Sequence, residues 1–84
     1  MSHTSASYRI KTVLLMLSDR HGEKTGKSIM LSIQITHQDI ADMTGLTRET
    51  VTKIMNEMKE KGAISVLENR RIKLNTIFFT PASD

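Results

Sequence analysis

Cysteine and tryptophan are absent from this chain of 84 residues, and proline occurs only once. The lack of thiols excludes a disulfide framework, a cysteine-ligated iron–sulfur centre and a thiol redox switch within the chain. Aromatic residues make up 4% of the sequence, so the core must be aliphatic, with methionine filling its gaps. No apolar run approaches the length of a membrane span or a signal peptide. We therefore expect a cytoplasmic protein without a membrane partner.

Motifs typical of enzymes are also missing. The sequence contains no phosphate-binding loop, no nucleophile elbow and no dinucleotide-binding glycine pattern. His21 and His37 stand alone, without the spacing that metal ligands require. We therefore expect no catalytic residue, no metal and no cofactor in this domain.

The length and charge of the chain predict one small basic domain. A chain of 84 residues buries a single modest core and cannot form two lobes around a catalytic cleft. Its 38% apolar and 25% charged residues are typical of a folded domain. The net charge of +3 and the isoelectric point near 9.5 favour a nucleic-acid partner, although many small domains are equally basic.

The most informative stretch is ITHQDIADMTGLTRETVTKIMNEMKEKGAI, residues 35–64, which predicts two short helices joined at Gly45. Thr36 and Thr47 are suitable N-caps, and Gly45 stands where the turn needs a positive φ angle. The first helix should bury Ile40, Ala41 and Met43. The second, residues 47–61, should bury residues at i, i+3, i+4 and i+7, namely Val51, Ile54, Met55 and Met58.

The flanking segments complete an α+β, mainly helical fold. Residues 8–21 predict a first helix, which Leu15 and Met16 should make well buried. Alternation over residues 29–35 predicts a strand, and residues 23–28 are interpreted as a polar loop. Two further alternating segments, residues 63–67 and 71–75, predict a β-hairpin. This order is that of a winged helix-turn-helix, with a three-helix core and a small antiparallel β-sheet that carries the wing.

The predicted domain occupies residues 8–79. Residues 1–7 are interpreted as a flexible segment and residues 80–84 as a tail. Ile77, Phe78 and Phe79 would either dock on the domain or contact a partner.

The motifs T-x-Q-D-I-A, G-L-T-R-E-T-V and K-G-A-I within residues 36–64 closely resemble the DNA-binding domain of the Crp/Fnr family of bacterial transcription regulators. The likeness extends over about residues 8–74. It implies a sequence-specific DNA-binding domain that inserts helix 47–61 into the major groove. Members of this family are homodimers on two-fold symmetric sites, with an effector-binding barrel and a dimerisation helix ahead of this domain. In some members the surface that matches residues 23–28 contacts RNA polymerase.

The resemblance also implies two groups of DNA-contacting residues. The base-reading group lies on the second helix of the pair: Arg48, Glu49 and, less clearly, Lys53. The phosphate-contacting group lies at helix N-termini and on the wing: Thr36, His37, Gln38, Thr47, Thr50, Arg70 and Arg71. Thr36 and Thr47 would cap their helices with or without DNA, and Arg70 and Arg71 are equally suited to an exposed turn.

A second function remains open at the level of sequence. A winged helix can serve as a protein-interaction or dimerisation module, here through residues 77–79 or the edge of the wing. The polar, basic face of helix 47–61 argues against this alternative, because protein interfaces usually have an apolar centre.

Overall fold

The computed structural model describes residues 5–80, so the predictions for residues 1–4 and 81–84 lie outside the described part. Three helices, four short strands and a final 3₁₀ turn form the predicted winged helix-turn-helix. In chain order these elements are α1 (Ala6–His21), β1 (Gly22–Thr25), β2 (Ser28–Leu31), α2 (His37–Thr44), α3 (Arg48–Glu60), β3 (Ile64–Val66), β4 (Ile72–Leu74) and the 3₁₀ helix Thr76–Phe79.

Helix α1 begins earlier and is less buried than predicted. It starts at Ala6 because the Ser5 hydroxyl accepts a hydrogen bond from the Tyr8 backbone N–H at 3.1 Å. Its inner face packs in the core as predicted. Leu15 and Met16, however, are 45% and 48% exposed, so the prediction of a broadly buried helix was wrong. The rest of the domain covers only one side of α1, and these two residues lie outside that contact.

The predicted loop 23–28 is instead part of an antiparallel hairpin. Strand β1 pairs with β2 from Gly22 opposite Leu31 to Thr25 opposite Ser28, and the turn between them contains Gly26 at φ 64°. The sequence did not predict β1, because all four of its residues are exposed and therefore show no alternation of apolar and polar side chains. Strand β2 ends at Leu31, four residues short of the predicted end.

The sheet joins this hairpin to the wing. Its strand order is β1-β2-β4-β3, and β2 pairs antiparallel with β4, with Ile29 opposite Leu74. This arrangement confirms that the strand ahead of α2 joins the sheet of the wing. No helix in residues 5–80 is long and apolar enough to cross a membrane.

The helix-turn-helix closely follows its sequence signals. Thr36 and Asp39 form a capping box at the start of α2, and Gly45 ends that helix at φ 77°. The Thr47 hydroxyl caps α3 by accepting a hydrogen bond from the Thr50 N–H at 3.1 Å. All four predicted core residues of α3 are buried. Met43 is 48% exposed, contrary to prediction, because the two-turn helix α2 buries only a narrow strip of side chains.

The segment after the wing closes the core. Phe78 is 4% exposed, whereas Ile77 and Phe79 are 52% and 41% exposed. The Asn75 side-chain amide donates hydrogen bonds to the Gly62 carbonyl at 3.1 Å and to the Ser65 hydroxyl at 3.0 Å. These contacts hold the 3₁₀ turn against the end of α3, so the segment docks through one of its three apolar residues.

Candidate nucleic-acid interface

The packing of α3 presents a polar face to solvent. Val51, Ile54, Met55 and Met58 fix the rotation of the helix by packing in the core. Arg48, Glu49 and Lys53 are therefore exposed. Within residues 5–80 none of these three side chains makes a hydrogen bond or an ion pair. Their donors and acceptors are thus available to another molecule at the N-terminal half of the helix.

Two threonine hydroxyls lie at the start of α3. One already uses its proton in a hydrogen bond within the domain, and the other can still donate its proton. Thr47 Oγ1 accepts from the Thr50 N–H and donates to Thr50 Oγ1 at 2.9 Å. The Thr50 hydroxyl still has its own proton to donate. Of the two threonines, Thr50 is therefore better able to donate a hydrogen bond to another molecule, while Thr47 acts as the cap.

Some of the polar groups at the start of α2 also make hydrogen bonds within the domain. Thr36 Oγ1 accepts from the Asp39 N–H at 3.0 Å, and the Thr36 N–H donates to Asp39 Oδ2 at 2.9 Å. The Thr36 backbone N–H, followed by the Thr36 hydroxyl, lowers the pKa of the Asp39 carboxyl. Gln38 Nε2 donates to Asp42 Oδ1 at 2.9 Å, so one amide proton of Gln38 remains for an external acceptor.

His37 links α2 directly to α3. Its Nδ1 lies 2.8 Å from Thr52 Oγ1, a contact that the sequence did not reveal because it joins two helices. Partial burial, followed by the charges of Lys59 and Arg48, lowers the pKa of His37 below its ordinary value of 6.5. At neutral pH the imidazole is therefore uncharged, and within residues 5–80 its Nε2 is the ring nitrogen left without a protein partner.

This lowered pKa predicts that the domain loses stability in mild acid. The unfolded chain takes up a proton at His37 near pH 6.5, whereas the folded domain resists that protonation. The stabilising contribution is complete above about pH 6.5 and declines as the pH falls toward the folded-state pKa. Urea unfolding at pH 7 and pH 5 should show a smaller loss of stability for His37→Gln than for the wild type. Equal losses in the two proteins would contradict this assignment.

The wing ends in a tight tip that carries two arginines. Arg70 has a φ angle of 65°, and its N–H donates to the Leu67 carbonyl at 2.8 Å. The Arg71 N–H donates to Asn69 Oδ1 at 3.1 Å. The Asn69 carbonyl accepts a hydrogen bond at 2.7 Å from Gln34, which precedes α2. Arg70 is exposed and Arg71 is half-buried.

A groove of about 550 Å³ separates the helix-turn-helix from the wing. Its polar lining comes from Gln34, Thr36, His37, Gln38, Arg48 and Arg70. Its apolar lining comes from Ile35, Met55, Val66 and Ile72. The groove thus brings together five predicted DNA-contacting residues, whereas the other five lie outside its lining, namely Thr47, Glu49, Thr50, Lys53 and Arg71. With two arginines and no acidic side chain, its lining favours an anion.

Sequence reasoning missed Gln34 and Thr52, both of which support this surface. Gln34 lies in a segment of apparent strand alternation, and its partner Asn69 is 35 residues away. No local signal identifies such contacts. The described residues contain no group of three or more His, Cys, Asp or Glu side chains that would hold a metal ion.

Comparison with known proteins places this geometry in a family. A family model described as the Crp-like helix-turn-helix domain matches residues 8–77. The nitrogen fixation regulation protein FixK of Azorhizobium caulinodans is 33% identical over 75 residues, which cover 88% of this chain and 30% of FixK. The anaerobic regulatory protein of Bacillus subtilis is 31% identical over 64 residues, which cover 76% of this chain and 27% of that protein.

Solved structures show the same fold. The CO-dependent transcription factor CooA from Carboxydothermus hydrogenoformans matches with a TM-score of 0.76 at 27% identity, covering 88% of this chain and 34% of CooA. A Crp/Fnr family transcriptional regulator from Thermus thermophilus matches with a TM-score of 0.69 at 30% identity, covering 83% of this chain and 35% of that regulator. The chain spans about a third or less of the length of these proteins. It belongs to the Crp-like helix-turn-helix family, the DNA-binding domains of Crp/Fnr-type transcription regulators.

Proposed function

We propose that this domain recognises a specific DNA sequence by inserting the N-terminal half of α3 into the major groove. The observation that carries this proposal is the set of exposed, uncommitted side chains of Arg48, Glu49 and Lys53 on a helix whose opposite side is fixed in the core. Arginine donates two hydrogen bonds to guanine O6 and N7, and glutamate accepts one from cytosine N4. Lysine lacks the planar fork of arginine, so Lys53 serves either a base edge or a phosphate.

The flanking groups supply phosphate contacts that set the position of the domain on the duplex. Thr50 and the N–H groups of the first turn of α3 favour one phosphate, because a helix N-terminus attracts anions. His37 Nε2 and Gln38 at the start of α2 favour another, with Arg70 facing them across the groove. Thr36 and Thr47 contribute mainly as caps, and Arg71 contributes charge near the wing. The proposed role is therefore binding and not catalysis.

The parent regulator, as we propose it, is a cytoplasmic bacterial protein that acts as a homodimer on a two-fold symmetric site. This proposal rests on the family to which the domain belongs, since the chain spans only part of its relatives. The exposed strand β1, at the sheet edge opposite the wing strand β3, is a candidate surface for RNA polymerase. The effector of the parent protein binds outside this domain.

An NMR titration tests the proposed function. When a short duplex is added that carries a TGA-like half-site, the kind of site that the resemblance to the Crp/Fnr family suggests, amide signals should shift at the starts of α2 and α3 and at the wing tip. These are the elements that carry the uncommitted polar groups. Sedimentation of the free domain should show a monomer, because the resemblance to the Crp/Fnr family places the dimerisation helix ahead of this domain. Three results together would instead establish a protein-interaction module: a dimer in sedimentation, amide shifts on dimerisation that are confined to residues 77–79 or β3, and no amide shifts on added DNA.

A further inference from the structure

One hydrogen bond ties the wing tip to the segment that leads into α2. Gln34 Nε2 donates to the Asn69 carbonyl at 2.7 Å across a sequence separation of 35 residues. Gln34 is exposed, whereas its neighbour Ile35 is buried in the core at 8% exposure. The glutamine backbone is therefore anchored, and its side chain reaches from a fixed point to the tip.

The wing has little rigidity of its own. Strands β3 and β4 contain three residues each. Strand β4 is held by β2 in the four-stranded sheet, but β3 lies at the edge of that sheet, and the β3–β4 pairing ends at Val66 opposite Ile72, short of the tip.

The tip that joins β3 and β4 holds Arg70 at a φ angle of 65°, a conformation that non-glycine residues rarely adopt. Such a backbone persists only where its surroundings hold it in place. Within the tip, the Arg70 N–H donates to the Leu67 carbonyl, the Leu67 N–H donates to the Arg71 carbonyl, and the Arg71 N–H donates to Asn69 Oδ1. The hydrogen bond from Gln34 to the Asn69 carbonyl adds a contact from outside the wing.

The position of the tip determines where Arg70 lies. Arg70 lines the groove together with His37 and Gln38 at the start of α2. The wing and α2 thus present donors to the same space from opposite sides. A displaced tip would move the Arg70 guanidinium away from that space and leave the α2 donors unchanged.

On the basis of the proposed DNA-binding function, we propose that Gln34 is a positioning residue for the wing. Its hydrogen bond to the Asn69 carbonyl holds Arg70 where it contacts the same stretch of DNA backbone as the start of α2. Gln34 itself does not need to touch DNA for this effect. Because a phosphate contact carries no base information, the Gln34–Asn69 hydrogen bond, here called the tie, controls affinity for DNA and not sequence preference.

A double-mutant cycle with Gln34→Ala and Arg70→Ala tests this role. Gln34→Ala should weaken binding to half-site and scrambled duplexes by the same factor, about two- to tenfold, which corresponds to one hydrogen bond. It should also reduce the slope of log affinity against log salt by about one. In the Arg70→Ala background, Gln34→Ala should have no further effect, because the group that it positions is gone.

The free protein provides an independent readout. Gln34→Ala should shift the amide signals of Glu68 to Arg71 without lowering the midpoint of urea unfolding, which shows that the tie is local. An equal loss of affinity in both backgrounds would mean that Gln34 contacts DNA directly, and no loss in either would mean that the tie is without effect. Both results overturn the proposal. If the wild type binds no duplex, the proposed function itself fails, whereas the amide shifts still report on the tie.

Discussion

Arg48→Ala is expected to abolish most of the sequence preference of the domain while retaining much of its affinity for arbitrary DNA. Arg48 is the first residue of α3, exposed and free of hydrogen bonds or ion pairs within the described residues. A bidentate arginine contact to guanine contributes roughly 1–3 kcal/mol of base discrimination, a factor of about five to 150. Dissociation constants for a half-site duplex and a scrambled duplex, measured by fluorescence anisotropy, give this discrimination directly.

Lys61→Ala is the matched control for Arg48→Ala. Lys61 is an exposed cation at the C-cap of the same helix, so its removal changes the net charge equally at the opposite end. It should weaken binding to both duplexes slightly and leave their ratio unchanged. If the two variants lowered that ratio to the same extent, the effect of Arg48 would be general electrostatics and not base recognition.

Among the variants considered, Phe78→Ala is expected to lower the free energy of unfolding the most. Phe78 is 4% exposed, packs edge-to-face on Phe79 at 5.3 Å, and lies 5.9 Å from the Lys11 ammonium. Truncating a buried phenylalanine costs about 3–5 kcal/mol because it leaves a cavity. Small domains are stable by only about 5–15 kcal/mol, so the variant should be partly unfolded in low urea. Equilibrium urea unfolding measures this change.

Phe79→Ala provides the comparison within the same 3₁₀ turn. Phe79 is 41% exposed, and its removal should cost about 1 kcal/mol. A similar loss for both variants would mean that the turn is not docked through Phe78. A far larger loss of stability for Phe79→Ala would mean that another molecule covers Phe79. That result would favour a role for residues 77–79 in contacting another protein.

The helix-turn-helix could be predicted from the sequence because its signals are local. The capping pair of Thr36 and Asp39, the positive φ of Gly45 and the spacing from Val51 to Met58 each depend on a few neighbouring residues. Interactions between residues that are close in sequence determine where each helix begins and ends and which of its sides faces the core. The same spacing predicted which side of α3 would face the core, and the structure places Arg48 and Glu49 on the solvent-exposed surface of that helix.

The remaining features depend on contacts that are distant in sequence. The pairing of β1 with β2 gave no signal because an exposed edge strand has no buried alternate face. The exposure of Leu15, Met16 and Met43 depends on which sides of α1 and α2 their neighbours cover. Gln34 with Asn69, and His37 with Thr52, are recognised only once the helices and wing are in place. The structure likewise shows that the Thr47 hydroxyl already makes two hydrogen bonds with Thr50, which the sequence did not indicate.

The ratio of the dissociation constants for scrambled and half-site duplexes, measured for the wild type at one salt concentration, shows whether α3 reads base edges. If α3 reads base edges, the half-site duplex should bind at least about five times more tightly, and Arg48→Ala should bring the ratio close to one. Affinity for both duplexes should fall as salt rises, because phosphate contacts release counterions. A wild-type ratio of one, or a ratio that Arg48→Ala leaves unchanged, would contradict sequence recognition by this end of α3.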